Sequence, residues 1–242
     1  MKIAAISDLH IGAHARSDSF GHASDGFLRL LDGLERTHDK IVLLGDIYQT
    51  DHGWMPGLGS ARRLLDTARQ RVSALTRRWS EAQYLWVHGN HDPVTASVLE
   101  AKTKLILGEP GARVLFTHGD AYDPVIRSIP RLSRLGTWFA GRTRAMGLIR
   151  FSEYMEDKDV TIKAHEHLAV AGPYAVAAEG LMSEHDVQVV VMGHTHVPQR
   201  QELARGVLAN TGTCSRGRFM GVSVDTATGE VQHFGTSPLV RT

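Results

Sequence analysis

At 242 residues, of which 42% are hydrophobic, the chain suits one domain with a sizeable buried core. A formal net charge of +1 argues against a general nucleic-acid surface, which shows as a basic excess over the domain. Cys214 is the only cysteine, so an intrachain disulfide is excluded and a reducing compartment is expected. The pattern predicts a strand over Lys2 to Ser7, a helix from about Asp25 to Thr37, a strand over Lys40 to Leu44, and one long helix from about Ser60, its N-cap, to Glu81. A strand over Gln83 to His88 precedes a short helix opening near Pro93, and Leu105 to Leu107 and Arg113 to Thr117 read as two further strands. A helix beginning near Pro173 leads into a strand over Val187 to Met192. Val207 to Asn210, Phe219 to Val224 and Glu230 to Phe234 are short segments between Gly-bearing turns, as in antiparallel pairing. Alternating βα units that finish in a meander predict an α/β fold, a two-sheet sandwich forming one domain over residues 1–242. Asp8 and His10 interrupt the first apolar run too early for a signal peptide, and no apolar run is long enough to span a bilayer. The expected location is the cytoplasm, free or at the inner face of a membrane.

Five apolar, β-branched runs each stop where metal-type residues begin: Asp8-Leu9-His10, Gly45-Asp46, Gly89-Asn90-His91-Asp92, Thr117-His118-Gly119-Asp120 and Gly193-His194-Thr195-His196. Open α/β sheets bind ligands at the carboxyl ends of their strands, so these residues describe one site assembled from distant sequence. Asp8 and His10 are two apart and share a side of an extended chain, as do His194 and His196. Carboxylates, an amide and imidazoles together suit a pair of divalent cations, and Asp46 is the best bridge between them. Two carboxylates against two such ions leave a surplus of roughly +2, which favours an anionic substrate. Of the 14 histidines, His14, His22, His38, His165, His167, His185 and His233 adjoin no such motif and read as ordinary surface or hydrogen-bonding residues. Asp51 and His52 read as a solvated turn, with substrate contact as the alternative.

The same motifs in the same order, from Met1 to about Gly212, resemble the calcineurin-like metallophosphoesterases. The resemblance implies that Asp8, His10 and His196 complete one metal shell and Asn90, His118 and His194 the other, around a shared Asp46. Manganese is the expected ion, with iron or zinc as alternatives. It also implies that His91 acts on the substrate and leaving group, with Asp92 orienting its ring, while a metal-bridging water, acidified to hydroxide, attacks phosphorus in line. Gly45, Gly89 and Gly193 are expected to let the backbone turn beside the metals. Asn210 opens an Asn-x-Gly turn that shapes the cleft in many members, and Arg216 and Arg218 are candidates for phosphate contact.

Between Pro124 and Ser152 there are six arginines and no acidic residue, and Leu132, Leu135 and Phe139 form a helical stripe with Arg131, Arg134 and Arg142 beside it. This helical insert, over about 124–152, is either a cap whose arginines meet a substrate phosphate or a hairpin that packs its apolar side on the core. Its position resembles that of the lid of the UDP-diacylglucosamine pyrophosphatases, which act on a nucleotide-linked lipid, and Asp8-Leu9-His10, the Gly45-Asp46 loop with Trp54 and Gly193-His194-Thr195-His196 suit that subgroup. Gly89-Asn90-His91-Asp92 departs from that subgroup, which typically carries arginine where His91 stands. Three readings follow: a metal-dependent hydrolase of a phosphate ester or pyrophosphate bond in a small or lipid-linked substrate, a nuclease or cyclic-nucleotide phosphodiesterase, and a non-catalytic binding scaffold. A scaffold has no need of the ligand set and His91 together, and a near-neutral charge does not favour nucleic acid.

Overall fold

The computed structural model describes residues 1–51, 57–128, 158, 161 and 172–236, and in it two five-stranded sheets pack face to face. In the first, β1 (Lys2–Ile6), β3 (Lys40–Leu44) and β5 (Tyr84–Val87) run parallel, and the antiparallel hairpin of β11 (Phe219–Asp225) and β12 (Glu230–Thr236) extends the sheet beyond β1. In the second, β7 (Val114–Thr117), β8 (Val189–Met192) and β10 (Gly206–Thr211) are parallel, between antiparallel edges β6 (Lys104–Leu107) and β9 (Pro198–Leu203). Two-residue strands β2 (Ile11–Gly12) and β4 (Tyr48–Gln49) pair parallel just past the ends of β1 and β3.

Side chains alternate across a strand, and the apolar residues of these strands divide accordingly. Ile3, Ala5, Val42, Leu44 and Val87 of the first sheet meet Val114, Phe116, Val189, Val191 and Ala209 of the second in a core between the sheets. Their neighbours Ile6, Ile41 and Leu43 face outward onto helices α1 (Ser24–Thr37), α2 (Leu58–Arg71) and α3 (Ser73–Arg78), through Phe27, Leu31, Leu65 and Leu75. On the far side Leu115, Val190, Met192 and Leu208 bury against Tyr174, Ala178 and Leu181 of a helix over Pro173–His185. The central strands β1, β3, β7 and β8 are thus apolar on both faces, because both faces are covered. The expected α/β sandwich is present, in four layers.

Two expectations need correction, and one strand was not foreseen. The long helix is two: it breaks at Val72 (φ −111°, ψ 42°) and begins after Gly57 (φ 131°), so Ser60 lies inside it and caps nothing. A continuous helix advances about 100° per residue, so Leu75 would lie about 80° off the stripe of Leu65; the break returns both to one core. The meander is also divided, because β10 joins β8 in the second sheet and the chain crosses to the first only before β11. The strand β9 gave no apolar signal: its sequence PQRQEL alternates exposed and half-exposed residues, and it sits on the edge by pairing with β10 and packing Leu203 against the core. Two further short helices are α4 (Thr95–Val98) and α5 (Pro124–Ser128), and the Pro173–His185 helix is α6. His52, Trp54, His165, His167 and the insert beyond Ser128, with Arg131, Arg134 and Arg142, lie outside the described residues.

Candidate metal centre

The carboxyl ends of β1, β3, β5, β7 and β8 deliver Asp8 and His10, Asp46, Asn90 to Asp92, His118, and His194 and His196 respectively. Five of these residues leave their strands in the left-handed region: Asp8 (φ 54°), His10 (49°), Asp46 (52°), His194 (71°) and His196 (61°). For non-glycine residues that conformation costs roughly 1–2 kcal/mol each, and it persists only where surroundings over-determine it. Backbone bonds between the loops do so: Asp8 N–H donates to Gly45 O (3.1 Å), His10 N–H to Asp46 O (3.0 Å) and Gly193 N–H to His118 O (3.0 Å). Two glycines leave room for the side chains. A Cβ at Gly45 (φ 82°) would run into the His118 ring, and one at Gly89 would fall on Asp46 Oδ1. Gly89, with no positive φ, is needed for this close approach and not for a turn.

Three overlapping groups of donor atoms result: Asp8, His10 and His196; His10, Asp46 and His91; Asp46, His118 and His194. Asp46 stands in two of them, beside His10 in one and His118 in the other. In the first group, His196 Nε2 lies 3.1 Å from both Asp8 Oδ1 and His10 Nε2. His10 bonds Gln49 Oε1 through Nδ1 (2.8 Å), which leaves the Nε2 lone pair directed at that cluster. In the third group, His118 Nδ1 donates to Leu44 O (2.9 Å) while its buried Nε2, without a hydrogen-bond partner, faces Asp46 Oδ2 at 3.1 Å. Asn90 Oδ1 is likewise buried with no hydrogen-bond partner. Lone pairs converging on lone pairs, next to an orphaned amide oxygen, fit cations shared among these residues.

The charges agree. Burial opposes ionisation of Asp46, yet the His118 and His91 imidazoles hold its carboxyl well below the usual range. Asp8 behaves alike under His196. Burial, with the His91 charge adding to it, lowers His10 to about 4, so its ring is neutral at pH 7 and able to act as a ligand. His118 is the exception: burial disfavours a proton on it, but Asp46 outweighs burial and raises the imidazole well above its ordinary pKa, so a cation would have to displace that proton to bind Nε2.

Several expected roles change. Asp92 does not orient His91: its carboxylate accepts backbone N–H bonds from Gly89 (2.8 Å), Asp46 (3.3 Å), Ile47 (2.9 Å) and Tyr48 (3.2 Å), clamping two loops together. Burial and the Asp46 charge push it up to about 7, against the pull of the Gly89 and Tyr48 amides. The carboxylate beside His91 is that of Asp51, with Oδ2 2.8 Å from Nδ1, and the Gln49 amide nitrogen is also 2.8 Å from that atom. Asn210 is buried, donating to Gly193 O (2.5 Å) and accepting from Gly212 N–H (3.1 Å), so it braces the His194 loop. Arg216 and Arg218 lie half-buried on the loop before β11, where Arg216 N–H donates to Ser19 O (2.6 Å) and Arg218 places Nε 3.4 Å from Ser215 O. Sequence reasoning missed Gln49, Asp123 and Ser7. Asp123 Oδ2 lies 2.9 Å from His194 Nε2, and Ser7 Oγ donates to Asp8 Oδ2. Only Asp123 carried a signal, as a residue of helix-cap type directly before Pro124.

Curated relatives point the same way. The chain is 22% identical over 205 residues to a UDP-2,3-diacylglucosamine hydrolase of Histophilus somni (strain 2336), covering 79% of this chain and 82% of that protein. It is 29% identical over 216 residues to the enzyme of that name from Chromohalobacter salexigens (81% and 80% covered). It is 26% identical over 223 residues to that of Escherichia coli O6:H1 (87% of each). The family model described as Calcineurin-like phosphoesterase matches residues 1–198. Strand-end donors held in strained backbone, together with a match over most of the chain, place this protein in the calcineurin-like phosphoesterase family.

Proposed function

We propose that the protein is a dinuclear metal-dependent hydrolase of phosphate esters or pyrophosphates. The observation that carries this reading is the sharing of Asp46 between the donor groups of His10 and of His118 with His194. Asp8, His10 and His196 would hold one ion and Asn90, His118 and His194 the other, with Asp46 available to both. When bound, two divalent cations supply the charge that acidifies a water into a nucleophile near neutral pH and meets the phosphoryl oxygens. His91 takes the part of the group that stabilises or protonates the departing oxygen, its ring held by Asp51 through Nδ1 so that Nε2, 4.0 Å from Asp46 Oδ2, is turned to the centre. Thr50 fixes the same residue from behind, with both its N–H and its hydroxyl donating to His91 O (3.0 and 2.7 Å). Manganese is the ion to try first, with iron and zinc beside it.

The substrate we propose is a lipid-linked nucleotide diphosphate of the kind named in the curated relatives, met at the inner face of a membrane. The insert's arginines and apolar stripe support that choice. No helix among the described residues is long and apolar enough to cross a membrane, and the contact we propose is peripheral. The test is Asp46→Ala, with wild type and variant assayed on aryl phosphate mono- and diesters and on nucleotide diphosphate esters with manganese added. The variant should lose both ions and all hydrolysis. Wild-type turnover with two ions retained would overturn the reading.

A further inference from the structure

Asp123 lies where two parts of the chain meet. One carboxylate oxygen, Oδ2, is 2.9 Å from Nε2 of His194, and both side chains are almost wholly buried. The other, Oδ1, accepts the backbone N–H groups of Val125 (2.8 Å) and Ile126 (3.3 Å), the first turn of α5. A carboxylate on one imidazole nitrogen fixes the tautomer and plane of the ring and makes the other nitrogen a better donor. For His194 that other nitrogen is Nδ1, on the ring that joins Asp46 and His118. The same carboxylate serves as the cap of the helix by which the chain enters the basic, apolar stretch following His118.

We infer that Asp123 is a positioning residue that presents His194 to the second metal shell and ties that shell to the first turn of α5. The inference rests on the dinuclear reading above and concerns only the His118–His194 shell. It has a thermodynamic consequence: a cation on His194 polarises the ring, tightens its bond to Asp123 and so steadies the cap, and the coupling is reciprocal. Metal uptake at one shell should therefore be felt at the Val125 and Ile126 amides.

Asparagine separates the two duties of Asp123, because it caps helices about as well as aspartate but carries no charge for an imidazole. Manganese is titrated calorimetrically into the metal-free full chain, as wild type, Asp123→Asn and Asp123→Ser, with melting temperature and amide exchange at Val125 and Ile126 measured alongside. Wild type should take up two ions and slow exchange at both amides when loaded. Asp123→Asn should lose about 10- to 100-fold in affinity at one of the two sites, keep the other, melt unchanged when metal-free, and lose the metal-dependent slowing. Asp123→Ser should show the same split in affinity. Two unchanged affinities, or two affinities falling together with the melting temperature, would overturn the inference while leaving the dinuclear centre in place. Uptake of fewer than two ions by the wild type would overturn the dinuclear reading and this one with it.

Discussion

His91 shows how little of a residue's role lies in its identity. It follows Asn90 in the chain, yet its backbone N–H donates to Asp46 Oδ1 (2.8 Å) while its ring leans on Asp51 and Gln49. Gln49 in turn accepts from His10 and donates to Asp51 Oδ1 (2.6 Å), so one amide links a metal-type histidine to the carboxylate behind His91. Removing one group that assists a leaving oxygen costs a factor of about a hundred or more in turnover. His91→Ala should show that loss on an aryl phosphate ester while metal analysis still finds two ions. Asp51→Ala should lower turnover less, since the ring keeps Gln49 and its backbone anchors. Loss of metal from His91→Ala in step with activity would make His91 a ligand.

Among the elements, the helices on the outer face of the first sheet are joined by a polar cluster. Arg78 at the end of α3 reaches Asp32 (2.5 Å) and Glu35 of α1, and Tyr84 of β5 donates its hydroxyl to the same Glu35. Partial burial resists ionisation of Glu35, but bonds from Arg78 and Tyr84 outweigh it and hold its pKa below the ordinary 4.5. The unfolded chain then binds the proton more readily than the folded one. This contribution to stability is fully present above pH 4.5 and is lost as pH falls through the depressed folded value. Glu35→Gln should lower the melting temperature at neutral pH and flatten its decline on acidification, read by thermal unfolding across pH 3 to 7 in the metal-free protein. A decline as steep as that of the wild type would mean that other carboxylates control the acid limb.

For the molecule as a whole, the question is what the insert adds to a centre that the sheets already assemble. If the 124–152 stretch receives a lipid tail or an anionic membrane, replacing both Trp138 and Phe139 with serine should impair hydrolysis of a lipid-linked diphosphate far more than that of a small soluble ester. Binding to anionic vesicles should fall with it. A hairpin packed on the core predicts equal losses on both substrates and a lower melting temperature. That second outcome would remove the lipid proposal and leave the metal centre untouched.

Most of the two-sheet framework and the candidate ligand series were legible in the chain because they rest on local rules. A β-branched run closes into a strand, and a charged or imidazole group directly after it is carried to the sheet edge. Strands too short or too polar to alternate were invisible, which is why β9 and the two-residue β2 and β4 left no pattern. The break at Val72 was hidden for another reason, since each half of that helix has good local periodicity and only docking on a common core exposes the mismatch. Which carboxylate serves which imidazole was also decided in three dimensions. Asp92 is next to His91 in sequence but turns to four amides, while Asp51 reaches its Nδ1 and Asp123, 71 residues away in the chain, reaches His194. Sequence determines what a side chain can bond; the crossing of loops from separate strands determines which partner is within 3 Å, and no spacing along the chain encodes that.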